Sequence, residues 1–234
     1  MIQNFFLQEI PPCKVGGWEE IPPVRECGEP LVDITERDER VCYIASYWRQ
    51  GLDGALERCW VREGVWTRLR DALSLLPEDW SIQIFDGLRT LRTQQAIYNG
   101  FRRQFLAKEP GLREEELEAA VEPFVAKPAR DLARPAPHMT GGAVDLTLCF
   151  QGKPLNMGTG FDDLTGRART RWYEEAEERD EEVRKNRRLL YHVMSAAGFV
   201  NYDGEWWHYS YGDRQWARQT GAEPVYGYCL ACDI

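Results

Sequence analysis

Apolar residues in this chain recur with two different periods, and the changes of period mark out its elements. From Gly64 to Leu76, Val65, Leu69, Ala72, Leu73 and Leu76 fall at helical spacing and Pro77 ends the run, which predicts a helix. Residues 80–85, WSIQIF, alternate as a strand does, and Asp86-Gly87 follows as a turn that delivers Arg89 just past the strand end. In residues 143–150, AVDLTLCF, strand geometry puts Val144, Leu146, Leu148 and Phe150 on one face and Ala143, Asp145, Thr147 and Cys149 on the other. A helix over 172–197 starts highly charged, then shows Val183, Leu190, Val193, Met194 and Ala197 before Gly198, a C-cap residue. Phe199 to Tyr211 is aromatic and broken at Asp203-Gly204, the pattern of a β-hairpin.

The remaining segments have weaker patterns. Residues 41–48, VCYIASYW, read as a strand. Residues 93–108 and 112–126 read as two polar helices separated by Pro110-Gly111, a solvated cover rich in charge. The first forty residues hold Pro11, Pro12, Pro22, Pro23 and Pro30 and are expected to wrap the surface as extended chain. A length of 234 residues suits one large domain, so 1–234 is read as a single domain with 1–40 as its extended N-terminal segment.

Composition narrows the functional classes. With 38 acidic against 29 basic side chains the formal charge is −9, which repels phosphate and argues against nucleic acid or an anionic membrane as partner. No basic, then apolar, leader opens the chain and no segment approaches a membrane span, so a soluble, cytoplasmic protein is expected. The seven cysteines are odd in number and scattered, as reduced thiols are. Cys229 and Cys232 form a C-x-x-C, but no second pair accompanies them to complete a structural zinc site. The nine Trp are expected mostly in the core, Trp206 and Trp207 among them.

The candidate chemistry rests on scarce residues. There are three histidines, of which His192, inside a predicted helix, reads as structural. His138 lies in PAPHMTGGAVD and His208 in GEWWHY. A hydrolytic zinc site needs three nitrogen or carboxylate ligands and one open position, and His138, Asp145 and His208 satisfy that count, one Zn²⁺ per chain. Glu205, three residues before His208, supplies the carboxylate that such a site needs to take a proton from water. In a regular strand Glu205 and His208 would face opposite sides unless Gly204 allowed a distortion, so sequence leaves their geometry open.

His138-Met-Thr-Gly-Gly-Ala-Val-Asp145, Glu205-Trp-Trp-His208, Asp86-Gly-Leu-Arg89 and the MGTGFDD of 157–163 resemble, in order, the signatures of the D-alanyl-D-alanine dipeptidases of the VanX type. The resemblance spans at least residues 80–211. It implies an α+β domain with a central antiparallel sheet flanked by helices, as in the Hedgehog and D,D-peptidase group. It further implies zinc-dependent hydrolysis of D-Ala-D-Ala in bacterial cell-wall turnover. On this likeness His138, Asp145 and His208 are the zinc ligands and Glu205 the general acid and base. Arg89 stabilises the oxyanion and Asp162 binds the free ammonium of the dipeptide. The chain departs from the pattern at Ala136, where the family usually has serine, and at Thr90, where it often has proline. Two alternatives stay open: a D,D- or L,D-carboxypeptidase acting on longer peptidoglycan peptides, and a non-catalytic zinc-binding module of the same fold. Oligomeric state is not legible.

Overall fold

The structure, a computed structural model, describes residues 2–13, 16–177 and 180–233. Its centre is strand β5 (Ala143–Phe150), buried on both faces, with Val144, Leu146 and Leu148 fully inaccessible. Around it lies a six-stranded sheet in the order β2-β4-β5-β8-β7, built from β2 (Val41–Tyr43), β4 (Trp80–Asp86), β7 (Val200–Asn201) and β8 (His208–Ser210). The short β6 (Lys153–Pro154) pairs with the far end of β5. All these pairs are antiparallel except β2 with β4, which is parallel. A separate two-stranded ladder joins β1 (Leu31–Asp33) to β3 (Trp60–Arg62).

Helices cover the sheet by the apolar faces that the sequence shows. Helix α3 (Glu63–Ser74) buries Val65, Leu69, Ala72 and Leu73. Helix α7 (Glu181–Ala196) buries Val183, Leu189, Leu190, Val193 and Met194 in the same core. Trp206 and Trp207 join that core. The predicted helix over 172–197 is two helices: α6 (Trp172–Glu175) precedes α7, and residues 178–179, which the prediction spans, lie outside the described residues. Asp180 restarts the helix, its carboxylate accepting from the Glu182 and Val183 amides at 3.0 and 3.1 Å.

Three other expectations need correction. The 41–48 strand ends at Tyr43, because Ala45 turns left-handed (φ 46°) and Ser46–Arg49 form the short helix α2, which buries Tyr47. Helices α4 (Leu91–Lys108) and α5 (Glu114–Val121) are more than a solvated cover. Ile97 and Phe101 on α4, and Leu117, Val121 and Val125 on and after α5, recur at four-residue spacing and bury with Tyr47 in a second apolar cluster. In the N-terminal segment, residues 2–7 form helix α1 (Ile2–Leu7), which packs on α7 with Phe5 stacked on His192 at 5.9 Å. His192 Nε2 donates to the Gln8 carbonyl at 3.0 Å, the structural part read for it. Lys14 and Val15 of that segment lie outside the described residues. Helix α8 (Arg214–Thr220) follows β8, and among the described residues no helix is long and apolar enough to cross a membrane.

Candidate active site

Sheet register builds the site. Between Ile84 and Asp86 the pairing of β4 with β5 shifts by one residue, so that Asp86 rather than Phe85 lies opposite Asp145. A bulge of this kind turns Asp86 onto the face that Asp145 occupies. On the other side of β5, His208 lies opposite Asp145. Asp86, Asp145 and His208 therefore form one row across three strands.

His138 reaches the row from a 3-10 turn (Pro137–Thr140). The chain must then reverse into β5 where there is no room for side chains: Gly141 sits at φ 72°, and a Cβ on Gly142 would lie 2.7 Å from the Tyr211 carbonyl oxygen. His138 Nδ1 is 2.8 Å from the Gly87 carbonyl, which can only accept, so that nitrogen carries the proton. In the neutral ring Nε2 then turns its lone pair inward, 3.2 Å from His208 Nδ1 and 3.3 Å from Asp145 Oδ2. His208 Nδ1 is 3.0 Å from Asp145 Oδ1. All three side chains are buried.

These separations test the fit to a metal. Ligand bonds of about 2.0–2.1 Å in a tetrahedron set donors about 3.3 Å apart along each edge. The two imidazole nitrogens are separated by close to that edge, each faces one oxygen of the Asp145 carboxylate at similar range, and a lone pair held 3.3 Å from a carboxylate oxygen suits a cation between them. Among the described residues this is the one group of His, Cys, Asp or Glu side chains close enough to hold a metal ion. The Cys229 and Cys232 thiols stand apart from it, with Cys232 Sγ donating to the Met139 carbonyl at 3.3 Å.

Glu205 resolves the geometry that sequence leaves open. It precedes β8 on successive tight turns, its amide donating to the Tyr202 carbonyl at 3.0 Å and its carbonyl accepting from the His208 amide at 3.3 Å. Off the strand, the three-residue spacing converges, and Glu205 Oε2 stands 3.9 Å from His208 Nδ1. Arg89 is buried beside the row. Its Nε and Nη2 donate to Asp86 Oδ2 at 2.9 and 2.8 Å, its Nη1 to Gln94 Oε1 at 3.0 Å, and Nη2 lies 3.5 Å from Asp145 Oδ2. Asp162 holds a left-handed backbone (φ 60°), and its Oδ1 accepts from the Tyr47 hydroxyl at 3.1 Å.

Burial polarises these acids. The Asp162 carboxyl is pushed up to about 7, chiefly by burial and then by the Asp145 charge. Glu205 is raised well above the ordinary carboxylate range, again by burial first and by Asp145 and Asp162 next. Burial acts to raise Asp145 as well, but the facing His138 and His208 rings overcome it and hold that carboxylate far below its usual value. Asp145 is thus favoured as the anion while Glu205 and Asp162 gain proton affinity, a division suited to a ligand and a general base.

His138, Asp145, His208, Glu205, Arg89 and Asp162, the residues proposed for the site from sequence, lie in or around this cluster. Tyr47, Asp86 and Gln94 were not singled out. Asp86 had a signal, since a carboxylate three residues before Arg89 across a Gly turn can fold back onto it. Tyr47 had none, because its partner Asp162 is 115 residues away.

A family profile described as D-ala-D-ala dipeptidase matches residues 52–225. The D-alanyl-D-alanine dipeptidase of Synechocystis sp. (strain ATCC 27184 / PCC 6803 / Kazusa) is 32% identical over 217 residues, covering 84% of this chain and 87% of its own. That of Escherichia coli (strain K12) is 30% identical over 143 residues, 60% of this chain and 64% of its own. Among solved structures, a vancomycin resistance D,D-pentapeptidase VanY mutant in complex with Zn(II) superposes with a TM-score of 0.46 at 18% identity, covering 88% of this chain and 97% of the other.

Proposed function

The chain belongs to the D-ala-D-ala dipeptidase family of peptidases, and from that membership we propose that it hydrolyses the D-Ala-D-Ala dipeptide with zinc held by His138, Asp145 and His208. The observation that carries the reading is the convergence of the buried His138, Asp145 and His208 side chains: the two imidazole nitrogens lie 3.2 Å apart and each faces one oxygen of the Asp145 carboxylate, at 3.3 and 3.0 Å. When bound there, zinc supplies Lewis acidity, lowering the pKa of water to about 7 and polarising a carbonyl. The protein's own groups do the rest. Glu205, at 3.9 Å from a ligand nitrogen and with its proton affinity raised by burial, takes a proton from the attacking water and returns it to the leaving amine. Arg89, fixed by Asp86 and Gln94, presents its guanidinium to the oxygen on which negative charge develops. Asp162, with Tyr47, pairs with the free ammonium of the substrate, which sets a short reach and makes a dipeptide the preferred length.

The Ala136 and Thr90 departures leave these groups in place. Thr90 caps α4, its hydroxyl accepting from the Thr93 amide at 3.1 Å, so the helix behind Arg89 starts without proline. Ala136 contributes its carbonyl, which accepts from the Met139 amide at 2.9 Å. A panel of D,D-, L,D- and L,L-dipeptides with a D-Ala-D-Ala-ended pentapeptide tests the proposal. D-Ala-D-Ala should be cleaved fastest. Cleavage of the pentapeptide alone would instead mark a carboxypeptidase.

A further inference from the structure

Arg187 on α7 is an unusual buried cation. It is 2% exposed, and among the described residues no carboxylate oxygen lies within ion-pair distance of it. Its donors all go to main-chain carbonyls: Nε to Met157 at 2.9 Å, Nη1 to Arg169 at 2.6 Å and Nη2 to Arg167 at 2.8 Å. Tyr173 offers its ring face at 4.8 Å and Trp206 at 6.0 Å. Burial pushes this guanidinium down to about 10, a cost that neutral packing would not incur.

Those carbonyls lie at the two ends of the loop that carries Phe161 and Asp162. One planar fork thereby closes the base of residues 157–169. The loop is also tied to the turn bearing Glu205. Trp206 Nε1 donates to Thr159 Oγ1 at 2.8 Å, and the Trp206 amide donates to the Ala168 carbonyl at 3.0 Å. The Thr170 hydroxyl donates to Asn201 Oδ1 at 2.6 Å, and Asn201 Nδ2 donates to the Glu205 and His208 carbonyls, each at 3.0 Å. Asp162 itself holds a left-handed conformation, uncommon for a non-glycine residue though better tolerated by Asp than by most.

We propose that Arg187 is a positioning residue for substrate recognition: it staples the 157–169 loop so that Asp162 faces the substrate ammonium in register with the Glu205 turn. This rests on the reading of Asp162 given under the proposed function. Arg187→Lys keeps the charge but cannot span three diverging carbonyls, and Thr159→Val removes only the acceptor for Trp206.

The test compares zinc-loaded wild type, both variants and Leu190→Ala, a core substitution on the same helix, on D-Ala-D-Ala and its N-acetyl derivative. Hydrogen exchange on the metal-free proteins adds a readout independent of turnover. Arg187→Lys should cut the preference for the free amine about tenfold, as expected for misplacing one charged hydrogen bond. The cut should come through KM, with one zinc per chain retained and faster exchange confined to residues 157–169 and 203–206. Thr159→Val should shift the preference in the same direction and carries the test alone if Arg187→Lys fails to fold. An unchanged preference in the folded variants, or an equal loss in Leu190→Ala, overturns the role of Arg187. A wild type with no preference for the free amine overturns the Asp162 reading and this inference with it.

Discussion

Asp145 is pulled two ways, by burial that favours its neutral form and by the two imidazoles that favour the anion, and the imidazoles win. Asp162 has Arg89 and the Tyr47 hydroxyl to favour its anion, but burial and the Asp145 charge outweigh them and hold it up to about 7. A cation arriving at the cluster favours the ionised form, so zinc binding should expel the Asp162 proton where the metal-free protein still holds it. Proton release should therefore be larger at pH 6 than at pH 8 and smaller in Asp162→Asn, as measured by titration calorimetry in buffers of different ionisation enthalpy. Equal release at both pH values would contradict the buried, protonated Asp162. Asp86 is the other residue on which much depends, since it accepts two donors of Arg89. Asp86→Asn should lower kcat/KM by about 10- to 100-fold, the loss expected for weakening a charged hydrogen bond in the transition state, with zinc content unchanged. At this scale the sequence pointed to His138, Asp145, Glu205 and His208 because two of only three histidines have a carboxylate within seven residues, and the fold brings those four together. It was silent on Tyr47, whose partner is brought to it only by the fold.

Elements place these residues by small departures from regularity. The bulge in β4 moves Asp86 opposite Asp145, and the turns ahead of β8 bring Glu205 and His208 to one side. Neither departure is written in a hydrophobic period, which explains why α3, β4 and β5 could be read from spacing while the Glu205 geometry could not. The same limit hid Ala45, whose left-handed backbone ends β2 early and lets Tyr47 turn inward. In α4 and α5 the four-residue apolar repeat was present but interspersed with charged and polar residues. Thr90 shows that a local substitution can keep an element's start: its hydroxyl bonds the Thr93 amide and the Gly54 carbonyl. Thr90→Ala should cost about 1 kcal/mol. For a chain of this size that lowers Tm by roughly 2–4 °C, readable by calorimetry. An unchanged Tm would show that the cap does not hold the start of α4.

Across the whole molecule, the core formed by α3, α7 and the sheet supports the Asp86, Asp145 and His208 row, while the α4/α5 cluster holds Tyr47 and, through Gln94, Arg89. Gln94 Nε2 also donates to the Ala126 carbonyl at 2.6 Å, so Arg89 is linked to the segment after α5. A ligand that binds only the folded chain stabilises it by about 2.7 kcal/mol at a hundred times its Kd. Chelation should therefore lower Tm by several degrees, and His138→Ala should abolish the effect of added zinc; a chelator-insensitive Tm would count against a structural share for the metal. The proposed hydrolysis joins one metal to one base. Its most direct test is the rate of D-alanine release from D-Ala-D-Ala by wild type and Glu205→Ala, each assayed for zinc in the same sample. One zinc per chain is expected in both, with a fall in kcat of about 10² to 10⁴ in the variant. Equal rates in two zinc-loaded proteins would contradict it.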